Sequence, residues 1–225
     1  MLCGNGIIAI WNGIADEGRL NFYQWHIHEH MPERTAIPGF LRGRRYRAAD
    51  DDTHPEFFTL YEVEEFEVIT GPEYAQRLNN PTVWTRKATS HFLNTSRGLA
   101  RVLSSKGPGP GGVLATVRFK SSAGREGEIA ENLTRLINGF LEYPLITGVH
   151  LGKADEDATG VRTAEHEGRS DYDPPPNWFI LLEACALDAL KEPVRAILAH
   201  DAVRDPQVGR YLHEYTRLKT DSSAG

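Results

Sequence analysis

The sequence predicts an α+β fold in which two tandem ferredoxin-like βαββαβ units form a pseudo-dimeric α/β barrel. Three observations lead to this prediction. The same order of strand-like and helix-like segments runs through both halves of the 225-residue chain. A glycine- and proline-rich segment, residues 104–112, interrupts the chain almost at its middle. A single unit would leave one face of its sheet uncovered, and two units can bury those faces against each other.

The first unit is predicted over residues 1–105 and begins with an apolar run at residues 7–11, which is typical of a buried strand. Residues 16–30 carry apolar side chains at three- and four-residue spacing, which predicts an amphipathic helix that ends or restarts at Pro32. The remaining predicted elements are strands at 39–48, 57–63 and 99–103 and helical pieces at 71–78 and 81–94. The order is therefore βαββαβ.

A Gly/Pro linker over residues 106–112 leads into the second predicted unit, residues 113–220. Its predicted strands lie at 113–119, 146–152, 178–183 and 211–218, and its predicted helices at 126–141 and 187–199. Identity between the halves is low, so the duplication depends on element order and matching lengths. Residues 153–177 break the symmetry because they contain few apolar side chains, and we expect either a solvated loop or a flap over a pocket.

Composition and charge argue against several classes of partner. The formal net charge of -6 disfavours nonspecific nucleic-acid binding, which requires a basic surface. No stretch approaches the roughly 20 apolar residues of a membrane span, and Cys3 and Cys185 have no metal-type spacing. We expect a cytoplasmic protein that acts on a small molecule, either as a monomer built from two units or as a homodimer.

The most unusual segment is residues 25–33, which contains three imidazoles and two carboxylates. On a helix His26 and His30 share one face, whereas His28 lies away from it. Imidazole exchanges protons near neutral pH, so we predict His30 as the catalytic base or acid. Glu33 is predicted to orient His30, and His26 to act as a second catalytic polar group.

The four-residue spacing of His26 and His30 would also suit a divalent metal. The motif is not the HExxH motif of zinc enzymes, and a third ligand would have to come from His54, Glu62 or His91. The sequence also has no glycine-rich nucleotide-binding motif. We therefore predict no metal ligand and no cofactor, with metal or haem binding as the alternative.

Substrate-binding residues are predicted on the strand that follows the histidine-rich helix. Arg44 and Tyr46 alternate onto one strand face, where the arginine suits a carboxylate or phenolate. Arg45 lies on the opposite face, which is expected to meet water. Ion pairs to Glu62, to Glu64 or to the acidic residues 50–52 are the alternative explanation for the arginines.

Three further side chains complete the predicted substrate-binding set: Tyr61, Trp84 and His91. Trp84 and His91 share a helix face, and ordinary core packing is the alternative explanation for that stripe. The second half has no histidine in its corresponding helix, so we expect only one of the two potential pockets to be active.

Three motifs near the start of the chain occur together: Trp25-x4-His30-Met31-Pro32-Glu33, Pro38-Gly39-Phe40 and Arg44-Arg45-Tyr46. Over residues 5–104 they resemble the helix and strand signature of dimeric α/β-barrel proteins of the EthD-like kind. The resemblance implies a barrel of paired ferredoxin-like units and site roles for His30 and Glu33. It also implies membership of a superfamily whose activities include those of isomerases, polyketide dehydratases or decarboxylases and cofactor-independent monooxygenases. More distant barrels of that superfamily bind haem. The additional His26 and His28 and the fusion of two units depart from the family pattern.

We expect a cofactor-independent enzyme that uses histidine acid–base chemistry on a small aromatic, polyketide or lactone-like compound, as an isomerase, dehydratase or lyase. One alternative is a haem- or metal-binding barrel enzyme of the oxygenase type. The other is a protein that binds a small molecule without catalysing a reaction.

Overall fold

The structure, a computed structural model, describes residues 1–122, 124–161, 164 and 173–219 and contains a closed antiparallel barrel surrounded by helices. Its strands are β1 (Gly6–Ile14), β2 (Phe40–Ala48), β3 (Phe57–Val63), β4 (Phe92–Lys106), β5 (Val113–Lys120), β6 (Ile146–Ala154), β7 (Trp178–Ala184) and β8 (Arg204–Leu218). Its helices are α1 (residues 19–35, including the π-helical turn His26–His30), α2 (Pro72–Asn79), α3 (Val83–Thr89), α4 (Glu126–Gly139), α5 (Glu156–Gly160) and α6 (Lys191–Leu198). None of these described helices is long and apolar enough to cross a membrane.

The strand order around the barrel is β1-β3-β2-β8-β5-β7-β6-β4. The strands of the first half form one four-stranded sheet, those of the second half form another, and each sheet has the ferredoxin-like order. Antiparallel pairing of β2 with β8 and of β4 with β6 joins the two sheets. The predicted pseudo-dimeric barrel of two ferredoxin-like units is therefore confirmed, and the predicted linker lies where β4 crosses to β5.

The strands that join the two sheets, β4 and β8, are longer than the sequence predicts, with 15 residues each. β4 begins at Phe92, inside the stretch 81–94 that the sequence predicts as helical, and α3 ends at Thr89. β8 includes Pro206 and pairs with β2 only from Tyr211 onward, so the proline lies where one strand edge is open. Pairing with a neighbouring sheet holds these polar stretches extended, which their own pattern does not indicate.

Helix α1 continues through Pro32, one of the two outcomes expected from the sequence, and ends at Thr35. In the π-helical turn before the proline, the N–H of Met31 bonds to the carbonyl of His26, five residues earlier. A proline has no N–H, and its ring clashes with the carbonyl four residues before it in a regular α-helix. The wider turn accommodates both effects, so the helix passes through the proline.

The described residues form four apolar clusters, of which two are the largest. The barrel interior is filled by side chains from both halves, including Trp11, Phe58 and Phe179. A second core lies between the outer face of the second sheet and helices α4 and α6, where Leu133 and Ile137 are fully buried. The outer face of the first sheet is covered by α1, α2 and α3, and it is packed differently, as described below.

The predicted loop at residues 153–177 is described only in part. Residues 153 and 154 complete β6, α5 follows, and residues 173–177 lead into β7. Residues 162–163 and 165–172 lie outside the described residues, and so does that part of the predicted loop or flap.

Candidate active site

A cavity lies between α1 and the outer face of the first sheet, away from the barrel interior. Its volume is about 50 Å³. Its polar lining residues are Asn12, His26, His30, Arg34, Thr59, Tyr61, Tyr74, Thr89, Thr95 and Arg97. Two predicted catalytic residues and one predicted substrate-binding residue, Tyr61, therefore share one cavity.

Helix α1 brings His26 and His30 to the cavity side by side. Their rings are nearly parallel, with 26° between the planes and 5.6 Å between the centroids. His30 also packs against Trp25, with 4.2 Å between ring centroids. His26 and His30 are buried, with 3% and 6% of their surface exposed. His28 is exposed, as the helix geometry predicts.

Burial lowers the pKa of both imidazoles well below the ordinary value of 6.5. The guanidinium of Arg45 lowers the pKa of His26 further, and Arg34 and His26 lower that of His30 further. This corrects the expectation of titration near neutral pH, since helix and sheet bury both rings beside cations. At neutral pH both imidazoles are uncharged, and each has one donor and one acceptor nitrogen.

Two arginines make the cavity electropositive. Arg34 lies one turn after His30 on α1, is 3% exposed, and has its guanidinium 5.8 Å from the centroid of the Tyr74 ring. Arg97, on β4, donates to the hydroxyl of Tyr74 at 3.2 Å. Neither arginine is among the residues predicted from the sequence. The four-residue step from His30 to Arg34 could have indicated Arg34, whereas Arg97 depends on strand pairing that no local pattern reveals.

Three predicted site residues lie near α1 but do not line the cavity. Glu33 lies on the outer side of α1, where Arg77 donates to it at 3.2 Å. Trp84 donates to the side chain of Asn21 at 2.9 Å and packs against a small apolar cluster, as the core-packing explanation expects. His91 is half-buried beyond the cavity.

Arg44 and Tyr46 point into the barrel interior, on the other side of the sheet from the cavity. Arg44 is 1% exposed and donates to Glu62 at 2.9 Å, to Glu183 at 2.9 Å and to the Tyr46 hydroxyl at 2.6 Å. Arg42 also donates to Glu62, at 2.7 Å. Ion pairing with Glu62, the alternative explanation for these arginines, is therefore confirmed.

Arg45 is buried, with 3% of its surface exposed, and does not meet water as the sequence predicts. The reason is that α1 covers this face of β2. The guanidinium Nη1 lies 3.3 Å from Nδ1 of His26. Arg45 therefore contacts His26, which lines the cavity, although Arg45 itself does not line it.

The described residues do not fit a metal or haem centre in this cavity. No group of three or more His, Cys, Asp or Glu side chains among them could hold an ion, and Glu62, a predicted third ligand, is bound by arginines in the barrel interior. A ligating histidine almost always donates its second ring N–H to an acceptor. Nδ1 of His26 instead faces the cation of Arg45, and Nδ1 of His30 has no hydrogen-bond partner in the described part of the chain.

In the second half, apolar side chains occupy the space beneath the helix that corresponds to α1. Leu133 and Ile137 of α4 are fully buried there against the sheet. The two halves therefore share a topology, while the polar cavity described above belongs to the first.

Solved structures with the same architecture exist. An anthrone oxidase-like protein superposes with a TM-score of 0.60 at 13% sequence identity, covering 97% of this chain and 94% of its own. A Fusobacterium nucleatum subsp. nucleatum protein provisionally named a monooxygenase gives a TM-score of 0.58 at 10% identity, covering 97% and 96%. A protein provisionally named a chlorite dismutase gives 0.54 at 10% identity, covering 94% and 95%.

Sequence comparison adds nothing to these structural similarities, because no protein-family profile and no curated protein matches the chain. At such low identities the superpositions show the fold alone, which is the dimeric α/β barrel. The narrower resemblance to proteins of the EthD-like kind stays a prediction.

Proposed function

We propose that this chain is an enzyme that removes a proton from a small aromatic or polyketide-like molecule in the cavity beneath α1, without an organic cofactor. His30 is the base, and Arg34 and Arg97 hold the anion that forms. The observation that carries the proposal is the burial of two uncharged imidazoles beside two arginines in one cavity. Helix α1 and strand β4 place all four groups against the same cavity.

The proposed step starts with an acidic C–H or O–H of the substrate against the basic ring nitrogen of His30. The proton moves to His30, and the electron pair of the broken bond stays on the substrate and spreads over its conjugated system. An imidazolium alone is unfavourable there, because burial, Arg34 and His26 lower the pKa of His30. A substrate anion close to the imidazolium and the guanidinium groups offsets this, so proton transfer is coupled to anion binding.

Two kinds of outcome are open to such an anion. Reprotonation at another atom gives isomerisation, and expulsion of a leaving group gives a dehydratase or lyase reaction. Alternatively, the anion transfers electrons to dioxygen, which is then the oxidant of an oxidase or monooxygenase reaction. The names of two structural neighbours, an anthrone oxidase-like protein and a provisional monooxygenase, favour including dioxygen in the test.

The other predicted residues enter the proposal according to their position. Tyr61 is kept as a substrate contact, because it lines the cavity with its ring centroid 6.1 Å from that of His30. Glu33 is given the role of positioning Arg34, whose guanidinium lies 3.9 Å from its carboxylate. The predicted substrate contacts that do not line the cavity have no role in the proposal: Arg44, Tyr46, Trp84 and His91.

The test uses anthrone, an aromatic ketone with an acidic methylene group, as the probe. The protein is incubated with anthrone in deuterated water under nitrogen, and exchange of the methylene protons is followed by proton NMR. His30→Gln keeps a polar side chain but removes the base, and should slow exchange about 100-fold or more. His28→Gln is the matched control, because His28 is exposed on the same helix. Equal exchange rates in His30→Gln and the wild type would refute the role of His30.

Admitting air separates the two outcomes. Oxygen uptake with an oxidised product indicates an oxidase, whereas deuterium incorporation without oxygen uptake indicates isomerase- or lyase-type chemistry. A visible spectrum and elemental analysis of the purified protein test the cofactor. A Soret band, or one equivalent of metal per chain, would replace this proposal with the haem or metal alternative. Binding of anthrone without exchange would favour a non-catalytic binding protein.

A further inference from the structure

We propose that Glu214, Arg45 and His26 form a relay that fixes His26 as a hydrogen-bond donor in the cavity. Here the relay means these three side chains and the contacts between them. The relay itself depends only on the observed contacts. Its consequence for the substrate, which must carry a carbonyl group that can take up the charge of the carbon that loses a proton, rests on the proposed function.

The relay leads from the second half of the barrel to the cavity. Nε of Arg45 donates to Oε2 of Glu214 at 3.0 Å, and Nη1 of Arg45 lies 3.3 Å from Nδ1 of His26. The hydroxyl of Tyr23 donates to the other carboxylate oxygen of Glu214 at 3.1 Å. Two donors thus hold the carboxylate in place, and the carboxylate in turn holds Arg45.

These contacts decide the tautomer of His26. A guanidinium has only N–H donors and stays charged in proteins, so Nδ1 of His26 must accept. A neutral imidazole that accepts at Nδ1 carries its hydrogen on Nε2. Because His26 lines the cavity with Nδ1 engaged, the group that it can offer to a bound molecule is the Nε2–H donor.

Aromatic rings enclose two members of the relay, Arg45 and His26, and limit competition from water. Arg45 and His26 are each 3% exposed. The guanidinium of Arg45 lies 4.6 Å from the ring centroid of Tyr23 and 5.7 Å from that of Phe22. The ring of His26 packs 5.2 Å from Phe22, measured between centroids. Stacking on aromatic faces restricts the guanidinium of Arg45, so its N–H donors are held in a defined orientation towards His26.

His30 is not constrained in this way. Its Nδ1 is buried without a hydrogen-bond partner in the described part of the chain, so no contact there fixes its tautomer. The two neighbouring imidazoles are therefore suited to different roles, with His26 donating and His30 accepting. Their ring centroids are 5.6 Å apart, a separation that one small ligand can bridge.

This division of roles selects an enolisable carbonyl compound as the substrate class. When a C–H that is next to a carbonyl, or joined to it through an aromatic ring as in anthrone, gives its proton to His30, the electron pair moves to the carbonyl oxygen and forms an enolate. The enolate oxygen accepts the hydrogen bond from Nε2–H of His26, which stabilises the charge where it develops. The proton is then on His30 and the negative charge on the oxygen, so atoms and charge balance.

The relay also gives the second half of the chain a part in the site. The described lining of the cavity comes from the first half, but Glu214 belongs to β8. The pairing of β8 with β2 puts Tyr215 opposite Arg45 and so places the neighbouring Glu214 within reach of the guanidinium. The closed barrel is therefore needed to fix the tautomer of His26.

Nitrogen-15 NMR of histidine-labelled protein tests the relay without a substrate. The expected result is a neutral His26 with its hydrogen on Nε2 at neutral pH, and loss of this fixed tautomer in Arg45→Met. Arg101→Met is the matched control, because Arg101 lies on strand β4 with its side chain 51% exposed and pairs with Glu67, outside the relay. A hydrogen on Nδ1 of His26, or a charged His26, in the wild type would overturn the proposal.

Deuterium exchange into anthrone tests the donor role. His26→Phe keeps a ring but has no N–H, and should lower kcat for exchange about 100-fold with little change in KM. Glu214→Gln keeps an oxygen acceptor for Arg45, so it should lower the exchange rate less than Arg45→Met does. If thermal unfolding shows that Arg45→Met is unfolded, Glu214→Gln is used in its place.

The outcomes separate the relay from the proposed function. If the wild type has the Nε2–H tautomer but does not exchange anthrone or other aromatic ketones, the proposed function fails and the relay stands. Unchanged exchange in His26→Phe overturns the donor role.

Discussion

The ion pairs inside the barrel support a sharp prediction about stability. Arg44→Met removes a guanidinium that is 1% exposed and that lies 2.9 Å from one oxygen of Glu62 and 2.9 Å from one oxygen of Glu183. Removing one partner of a buried ion pair costs about 3–5 kcal/mol, because the other charge stays buried. Here two carboxylates from different halves of the chain lose the same partner.

The remaining contacts put the expected loss at the lower end of that range. Glu62 keeps Arg42 at 2.7 Å, and Glu183 keeps Nε2 of His150 at 3.1 Å and the backbone N–H of Gly111 at 3.0 Å. We therefore expect the free energy of unfolding to fall by about 3 kcal/mol. For a protein of this size, that corresponds to a decrease in Tm of about 6–12 °C.

The destabilisation should also depend on pH. Burial by itself raises the pKa of Glu183, but His150 and Arg44 overcome this and lower it from 4.5 to about 2. A lowered native pKa means that the ionised carboxyl stabilises the fold above pH 4.5, and that this contribution is lost as the pH falls towards 2. In Arg44→Met the pKa of Glu183 should rise, so acid destabilisation should begin at a higher pH than in the wild type.

Urea denaturation followed by circular dichroism, at neutral pH and in mild acid, measures both effects. Arg47→Met is the control, because its side chain is 52% exposed and a surface substitution usually changes stability by less than about 0.5 kcal/mol. The reasoning is refuted if Arg44→Met and Arg47→Met unfold at the same urea concentration at neutral pH.

Helix α1 and its counterpart α4 yield three more predictions. Because burial, Arg34 and His26 lower the pKa of His30, the base form persists in mild acid, and kcat/KM for anthrone exchange should stay level as the pH falls through 6.5. A loss of rate centred at or above that pH would contradict this. Leu133→Ala should leave a cavity in the second core and lower the free energy of unfolding by about 3–5 kcal/mol, measured with urea, without changing exchange per folded molecule. Pro32→Ala restores an N–H and should let α1 relax towards a regular helix. The rate of deuterium exchange into anthrone, measured by NMR, should then fall while Tm does not. An unchanged exchange rate would show that the π-helical turn is dispensable.

The barrel can be predicted from the sequence because its determinants occur twice along the chain. Apolar runs, amphipathic helices and the central Gly/Pro segment are all local patterns, and together they give the order of elements. The lengths of β4 and β8 and the passage of α1 through Pro32 are not local. They depend on pairing between the two sheets and on a change of helix type at His26–His30, which no residue spacing indicates.

The cavity is predictable only in part, for a related reason. The four-residue step correctly places His26 and His30 on one face of α1. Alternation likewise places Arg44 and Tyr46 on one face of β2, but it does not tell which face looks into the barrel. Only the closure of the sheet decides that they lie inside the barrel and that Arg45 lies behind the cavity.

Helices α1 and α4 bury side chains of different polarity at the same four-residue spacing. On α4 the stripe at four-residue steps is apolar: Ile129, Leu133 and Ile137. On α1 the buried stripe is polar: His26, His30 and Arg34. Each apolar side chain stabilises the fold by about 1.5–3 kcal/mol when fully buried, whereas buried imidazole and guanidinium groups bring a desolvation cost. Burial of the polar stripe therefore contributes less to stability than burial of the apolar stripe, and the first half also has apolar clusters of its own. The polar stripe is the place to look for the reaction.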